Sequence, residues 1–287
     1  MNTSNSSLER PLVSIIFVNY NGLNDTRKAV LSVLQYSPGS EIIIVDNCST
    51  DGSVESLRVE FPQLTILSLA ENKGFGNGCN RGSEKATGKY LFFLNNDALL
   101  LDDAPGVLAS FLDAHSTVAA CGPRLINEDR SFQLSFGPDP SIINEWTTRH
   151  KQRALRGGNG KLADSLERRY GKPRVDWISG AAMMIRREIF TTLGGFDELF
   201  FMYFEDADLC RRIRNSGFDI VYYSESSIVH LICQSGKKDG GRISSEYRKS
   251  QMHYYEKHLS IVSVQLLRIY LILKSFLALF TGTSSSR

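Results

Sequence analysis

Carboxylates stand at three abrupt changes from apolar to polar sequence. Asp46 closes the run Ile42 to Val45, Asp97 ends Asn95-Asn96-Asp97 after the run Tyr90 to Leu94, and Glu205-Asp206 follow Phe200 to Phe204. An acid at a strand tip can accept N–H donors from a ligand, and Asp46 is read that way ahead of turn chemistry. Glu205 and Asp206 open a predicted helix that continues through Leu209 and Ile213. The apolar residues before them hold that helix start against a partly buried cleft, where desolvation lifts a carboxyl pKa toward the range of a general base. Capping competes with that reading: acids in a first turn, with Arg211, Arg212 and Arg214 behind them, suit the helix dipole, and Asp208 and Arg212 form an i,i+4 pair.

The elements that must position these groups alternate in kind. "VSIIFV" (13–18), "EIIIVD" (41–46), "LTILSL" (64–69) and "YLFFLN" (90–95) are predicted strands. Helix-length segments lie between them: "LNDTRKAVLSVLQY", "GSVESLRVEF" and the glycine-heavy stretch 76–87. Continuous apolar strands between helices imply a parallel sheet covered on both faces. Ligands of such sheets bind beyond the carboxyl ends of the strands. Those ends are the polar clusters "NYNG", "DNCSTDGS", "ENKGFGNGCN" and "NND". Asn24, Thr50, Asp51 and Ser53 are read as turn and cap residues. Two nucleotide motifs are excluded: Gly74, Gly76, Gly78 and Gly82 fit G-x-G-x-x-G in neither frame, and "GSEKATGKY" has the wrong spacing for a P-loop.

Composition sets broad limits. The chain has 287 residues, 42% hydrophobic and 22% charged, enough for one large α/β domain or two small ones, and its net charge of +2 does not point to nucleic acid. A nucleic-acid binder using the basic stretch 149–174 is the alternative that charge alone leaves open. Cys48, Cys79, Cys121, Cys210 and Cys233 are scattered without a C-x-x-C pair, which fits a reducing compartment. Residues 1–10 are polar, with no apolar core of a signal peptide, and are expected to be a flexible tail. Residues 137–174, rich in Pro, Gly, Arg and Lys, are expected to be a mobile basic loop or helical insertion. After it, Gly180 and Ala181 are small enough for backbone to approach a ligand, and Trp177 is either core or a platform for a sugar face. "LSIVSVQLLRIYLILKSFLALF" (259–280) carries only Arg268 and Lys274 as charges. Those two make spanning a bilayer costly, so an interfacial helix on the inner leaflet is preferred to docking on the catalytic domain or dimerisation, and both to a span.

Taken in order, "VSIIFVNYNG", "IIIVDNCSTDGS", "ENKGFGNGCNRG", "YLFFLNNDALL", the stretch from "WISGAAMM" to "CRRIRNSGF" and "SSIVHL" resemble family 2 glycosyltransferases. More narrowly they are similar to the rhamnosyltransferase-type members that build bacterial surface polysaccharides. The likeness spans roughly residues 11–235 and rests on several dispersed motifs.

The resemblance implies a GT-A fold: a Rossmann-like, mostly parallel central sheet with helices on both faces, followed here by a C-terminal apolar helix. It divides the chain into a domain of residues 11–245, with a nucleotide-binding half (11–100) and an acceptor and catalytic half (101–245), and a membrane-associating or docking segment (246–287). The implied activity is inverting, metal-dependent transfer of a sugar from a nucleotide donor to a saccharide or lipid-linked acceptor on the cytoplasmic face of the inner membrane. L-Rhamnose from dTDP-L-rhamnose is the favoured donor, with UDP- or GDP-hexoses open and a non-catalytic nucleotide-sugar-binding module as the alternative of another class. Asp97, the carboxylate left in a DxD-like signature, and His230 would hold Mg²⁺ or Mn²⁺ on the donor diphosphate. Asp46 would read the base, with Asn19, Tyr20, Asn21 and Asn96 lining the nucleotide pocket and Lys73 and Asn80 near phosphate or ribose. Asp206 would be the catalytic base, Glu205 or Arg212 would orient the acceptor or balance charge, and Gly180 and Trp177 would lie by the sugars. A homodimer is possible on this reading, and nucleic acid is not an expected partner.

Overall fold

The computed structural model of the protein describes residues 12–169, 174–231 and 240–281. The tail of residues 1–10, Cys233 and residues 170–173 of the basic insertion lie outside them.

In chain order, β1 (Val13–Asn19), α1 (Leu23–Tyr36), β2 (Glu41–Asp46), α2 (Ser53–Glu60), β3 (Thr65–Ser68), α3 (Phe75–Ser83) and β4 (Tyr90–Leu94) form the first half. There follow β5 (Ala98–Leu100), α4 (Ala104–Ala114), β6 (Val118–Ile126), β7 (Phe132–Gln133), β8 (Phe136–Gly137), α5 (Ile142–Arg156) and α6 (Gly160–Arg169). Then come β9 (Trp177–Ile178), β10 (Ala182–Arg186), α7 (Arg187–Thr192), α8 (Glu205–Asn215), β11 (Asp219–His230), α9 (Gly240–His258) and α10 (Ile261–Thr281).

The main sheet runs β3-β2-β1-β4-β10-β6-β11-β5, with β7 on β6. Its first four strands are parallel, as their unbroken apolar runs require. Side chains alternate across this block. Ile15, Phe17, Phe92 and Leu94 bury against the face carrying α1, α2 and α4, while Ile16, Leu91 and Phe93 bury against the face of α3, α7 and α8. β10 then enters reversed between β4 and β6. The sheet beyond β4 is therefore mixed, with β6 and β11 parallel and β5 antiparallel on β11. Apolar content alone does not tell a strand's direction, so this reversal is absent from the sequence reading.

The insertion is helical, with Ser141 capping α5 through Asn144 N. α9 runs through residue 245, where the sequence suggests a boundary, and it docks rather than extending away. Tyr254 and Tyr255 are buried with Phe200, Phe204 and Ala207, and Val264 and Leu267 of α10 join the same cluster. Glu145 of α5 accepts from Tyr247 Oη at 2.9 Å, Gln251 Nε2 at 2.7 Å and Tyr255 Oη at 2.7 Å, fastening α5 to α9.

Candidate active site

The parallel register brings the tips of β1, β2 and β4 side by side, with Asn19 opposite Asp46 and Asp46 opposite Ser68. Asp46 is 2% exposed; its Oδ1 accepts from Asn19 Nδ2 at 2.7 Å and its Oδ2 from Ser49 N at 2.8 Å. Two donors fix the carboxylate plane while each oxygen keeps a further lone pair, so the group is oriented for another N–H donor. Asn19 Oδ1 in turn accepts from Thr26 Oγ1 at 2.8 Å, and Asn96 Nδ2 reaches Thr26 Oγ1 at 3.1 Å. Asn21 sits in the left-handed region at φ 50° and accepts from Thr50 N at 2.8 Å, closing the β1 loop onto the β2 loop. Tyr20 projects beside them, 47% exposed. Thr26 and Ser49 belong to this network and are missed by sequence reasoning, because single hydroxyls in a helix and a turn carry no distinguishing pattern.

Asp97 lies at the edge of the same rim, where β4 turns into β5. The pairing of β5 with β11 places His230 opposite Ala98, and His230 Nε2 stands 3.3 Å from Asp97 Oδ1. Two cis ligands of an octahedral Mg²⁺, each at about 2.1 Å, are separated by about 3 Å, so this pair has the spacing to chelate one cation. No group of three or more His, Cys, Asp or Glu that could hold a metal occurs among the described residues. A cation here would therefore take two protein ligands and complete its shell with phosphate and water oxygens, the usual habit of a hard ion on a nucleotide.

A three-residue turn connects this rim to the acidic helix. Asn95 N donates to Ala181 O at 2.9 Å, and the neighbouring Gly180 N donates to Asp206 Oδ2 at 3.0 Å. Asp206 Oδ1 accepts from Ala207 N at 2.8 Å, so both of its oxygens are aimed by backbone. A Cβ on residue 180 would lie 3.2 Å from the edge of the Phe75 ring and in ordinary contact, 3.6 Å, with Asp206 Cβ. Glu205 is 6% exposed and its Oε2 has no hydrogen-bond partner. Burial, aided by the charge of Asp206, pushes Glu205 up to about 8, and burial raises Asp206 as well. Asp206 has two N–H donors that favour its ionised form, so Glu205 takes the proton and Asp206 keeps the charge. The residues just before the pair, Tyr203 and Phe204, have φ of 69° and 68°. Two bulky residues in the left-handed region store strain at this helix start, a property invisible to hydropathy patterns.

Other predicted residues are committed elsewhere. Asn80 Nδ2 donates to Phe196 O at 2.9 Å and to Glu198 Oε1 at 2.9 Å, while its Oδ1 accepts from Phe196 N at 2.9 Å, bracing α3 to the loop before α8. The same two segments touch where Phe75 N donates to Phe201 O at 3.1 Å; a Cβ on Gly74 (φ 98°) would fall 2.0 Å from that oxygen. Lys73 is exposed and pairs with Glu71 at 2.7 Å. Trp177 is half-buried and donates from Nε1 to Pro138 O at 2.8 Å. Arg212 directs Nε to Asp208 at 2.8 Å and its terminal nitrogens to Leu193 O and Gly195 O at 2.9 and 2.7 Å. Asp208 has no exposed surface and also pairs with Lys257 at 2.8 Å and His258 at 2.6 Å. Burial alone would raise Asp208, but His258, Arg212 and Lys257 hold it below the usual carboxylate range. α8 is thus locked to the end of α9, a contact between residues fifty positions apart that no local pattern encodes.

Residues 14–194 match the profile of Glycosyl transferase family 2, and residues 163–232 match a profile described as the N-terminal domain of galactosyltransferase. The chain is 28% identical over 259 residues to the N-acetylglucosaminyl-diphospho-decaprenol L-rhamnosyltransferase of Mycobacterium tuberculosis, covering 80% of this chain and 79% of that protein. Among solved structures, GalNAc-T7 with UDP, GalNAc and Mn²⁺ superposes with a TM-score of 0.59 at 17% identity over 79% of this chain and 45% of that one. S. aureus TarS residues 1–349 with UDP-GlcNAc give 0.55 at 16% identity, over 77% of this chain and 58% of that one. At these identities the two structures speak to the fold.

Proposed function

The chain belongs to glycosyl transferase family 2, a glycosyltransferase with the GT-A fold, and from that premise we propose that it is an inverting transferase whose general base is Asp206. The donor is a nucleoside diphosphate sugar, with dTDP-L-rhamnose favoured because the relative from M. tuberculosis is an L-rhamnosyltransferase. The acceptor is a saccharide or a lipid-linked glycan, in keeping with the decaprenol-linked substrate in that relative's name. UDP- and GDP-hexoses are the competing donors.

Asp46 accepts an N–H of the nucleotide base, in a pocket formed with Asn19, Tyr20, Asn21 and Asn96. Asp97 and His230 would hold Mg²⁺ or Mn²⁺, which when bound supplies positive charge to the diphosphate as it leaves. Asp206 takes the proton from the acceptor hydroxyl. That oxygen forms a bond to the anomeric carbon from the face opposite the leaving group, and the bond from carbon to diphosphate oxygen breaks with its electron pair going to the diphosphate. Gly180 N and Ala207 N keep Asp206 ionised and pointed at the cleft, and the protonated Glu205 behind it adds no competing charge.

The single observation that carries this reading is the turn of residues 179–181. It ties a backbone-aimed carboxylate, Asp206, to the strand tip that bears Asp97. The experiment is calorimetric titration with dTDP-, UDP- and GDP-sugars, with and without Mn²⁺, on the wild type and Asp206→Asn. Binding of one nucleotide class by both proteins, with turnover lost by about 10²- to 10⁴-fold in the variant, is the expected result. Full turnover in Asp206→Asn would remove the base; no nucleotide binding at all would remove the site.

A further inference from the structure

His230 is one of two groups on which the proposed metal rests, and behind its ring runs a hydrogen-bond chain with a fixed direction. The chain begins at Asp129, in the turn between β6 and β7. A carboxylate only accepts, so Ser131 Oγ, 2.5 Å from Asp129 Oδ1, directs its one proton there. Ser131 Oγ then accepts from Asn127 Nδ2 at 2.8 Å. This turns Asn127 Oδ1 toward Gln133 Nε2, 2.9 Å away. Gln133 Nε2 also lies 3.5 Å from His230 O, so both surroundings of its NH₂ group are carbonyl oxygens. The other end of the amide, Oε1, faces His230 Nδ1 at 2.7 Å. An amide oxygen cannot donate, and Nδ1 must carry a proton.

The neutral ring therefore has its lone pair on Nε2, 3.2 Å from the donor Asn95 Nδ2. Nε2 and Asp97 Oδ1, 3.3 Å apart, are two electron-rich atoms that a cation or a proton between them would reconcile. An Nε2–H tautomer would set two lone pairs, on Nδ1 and on Gln133 Oε1, against each other at 2.7 Å. Every donor in the chain points toward Asp129, so each bond polarises the next and makes the ring a better electron-pair donor at Nε2.

We propose that Gln133, oriented through Asn127 and Ser131 by Asp129, is a positioning residue that fixes His230 as the Nδ1–H tautomer and presents Nε2 to a divalent cation shared with Asp97. This rests on the metal reading above. None of these four residues touches the cation or the sugar; they act through the ring.

The test has two arms on the full chain. Nitrogen-15 NMR of histidine-labelled protein without metal reports the tautomer of His230, and calorimetry follows Mn²⁺ in the presence of dTDP or UDP. Wild type is expected to show Nδ1–H, and Gln133→Leu to lose that preference and bind Mn²⁺ about 10- to 100-fold more weakly. Gln133→Glu still accepts from Nδ1 and should keep the Nδ1–H signal, while its second oxygen, set against Asn127 Oδ1 and His230 O, should leave Mn²⁺ binding between that of wild type and Gln133→Leu. Should Gln133→Leu fail to fold, Ser131→Ala cuts the chain in an exposed turn and should weaken Mn²⁺ in the same direction by a smaller factor. An Nε2–H ring in wild type, or Mn²⁺ affinity unchanged in Gln133→Leu, overturns the proposal. Failure of wild type itself to take up Mn²⁺ with either nucleotide overturns the metal reading, and this role with it, and is distinguished by arising before any variant is made.

Discussion

Replacing Glu205 by glutamine should shift stability in the variant's favour by an amount that grows with pH. In the folded chain the Glu205 carboxyl is buried beside Asp206 and keeps its proton up to about pH 8, whereas its ordinary value is 4.5. Between those limits the folded state binds a proton that the unfolded state releases, so stability falls as pH rises through the window. Holding that proton costs about 3 kcal/mol at pH 7 and about 5 kcal/mol above pH 8, at about 1.4 kcal/mol per unit. Glutamine has nearly the same shape and pays no such cost. Its NH₂ group does occupy a site where Oε2 has no partner, which subtracts roughly 1–3 kcal/mol independently of pH. The slope is therefore the diagnostic and the offset is not. Urea unfolding of both proteins at unit steps from pH 5 to 9 should show the difference widening by about 1.4 kcal/mol per unit up to pH 8 and flat beyond. A difference that stays constant across the series would mean that Glu205 ionises like a surface glutamate and that the division of labour between Glu205 and Asp206 is mistaken.

Other perturbations test the surroundings. Asp208→Asn strips the counter-charge from Arg212, Lys257 and His258 and should cost about 3–5 kcal/mol in urea unfolding at neutral pH. Because the Asp208 carboxyl is held below its ordinary 3.8, its contribution is present above that pH and lost as pH falls through the folded value, so the gap between the two proteins should narrow in acid. Gly74→Ala forces a Cβ to 2.0 Å from Phe201 O at φ 98° and should lower stability by at least about 2–3 kcal/mol, read from the thermal midpoint; an unchanged midpoint would show that the two loops separate freely. On α10, Val262, Leu266, Ile269 and Leu273 share one exposed face, while Arg268 is drawn to Glu256 of α9 at 2.8 Å. Leu266→Glu with Leu273→Glu should abolish cosedimentation with anionic phospholipid vesicles if that face lies on the inner leaflet; wild type that stays in the supernatant as a dimer would assign the face to a second copy instead.

The first half of the fold is legible in the sequence because its signals are local. β1, β2 and β4 end within a residue of their predicted limits, since each apolar run stops on a polar residue that cannot continue into the core. The strand-end rule then gathers Asn19, Asp46 and Asp97 on one rim without knowledge of the pairing. What local pattern cannot carry is direction and distance. The reversal of β10 depends on how residues 101–181 wander before returning to β4. Asn80 and Arg212 look like ligand residues by type, yet they bond backbone groups of the loop before α8 and the carboxylates of Glu198 and Asp208. The clamp on Asp208 joins α8 to α9, and Gln133 meets His230 across ninety-seven positions; both exist only once the chain is folded. The charges of the last helix show the same limit. Arg268 and Lys274 look like interruptions of an apolar surface, whereas on α10 the face bearing Leu266 and Leu273 has no charge among its exposed residues.

The clamp also sets an order of events in biosynthesis. Asp208 is buried, and two of its three basic partners, Lys257 and His258, lie in the last turn of α9. A chain emerging amino end first releases the residues of its sheet and α8 before Lys257 and His258 leave the ribosome. Until then Asp208 has only Arg212 to balance it, and the helix start that carries Asp206 lacks the aromatic cover of Tyr254 and Tyr255. The fastening of α8 thus waits for α9, and α10 with its exposed apolar face follows directly. The helix that bears Asp206 is therefore fastened at about the moment the exposed apolar face of α10 is made.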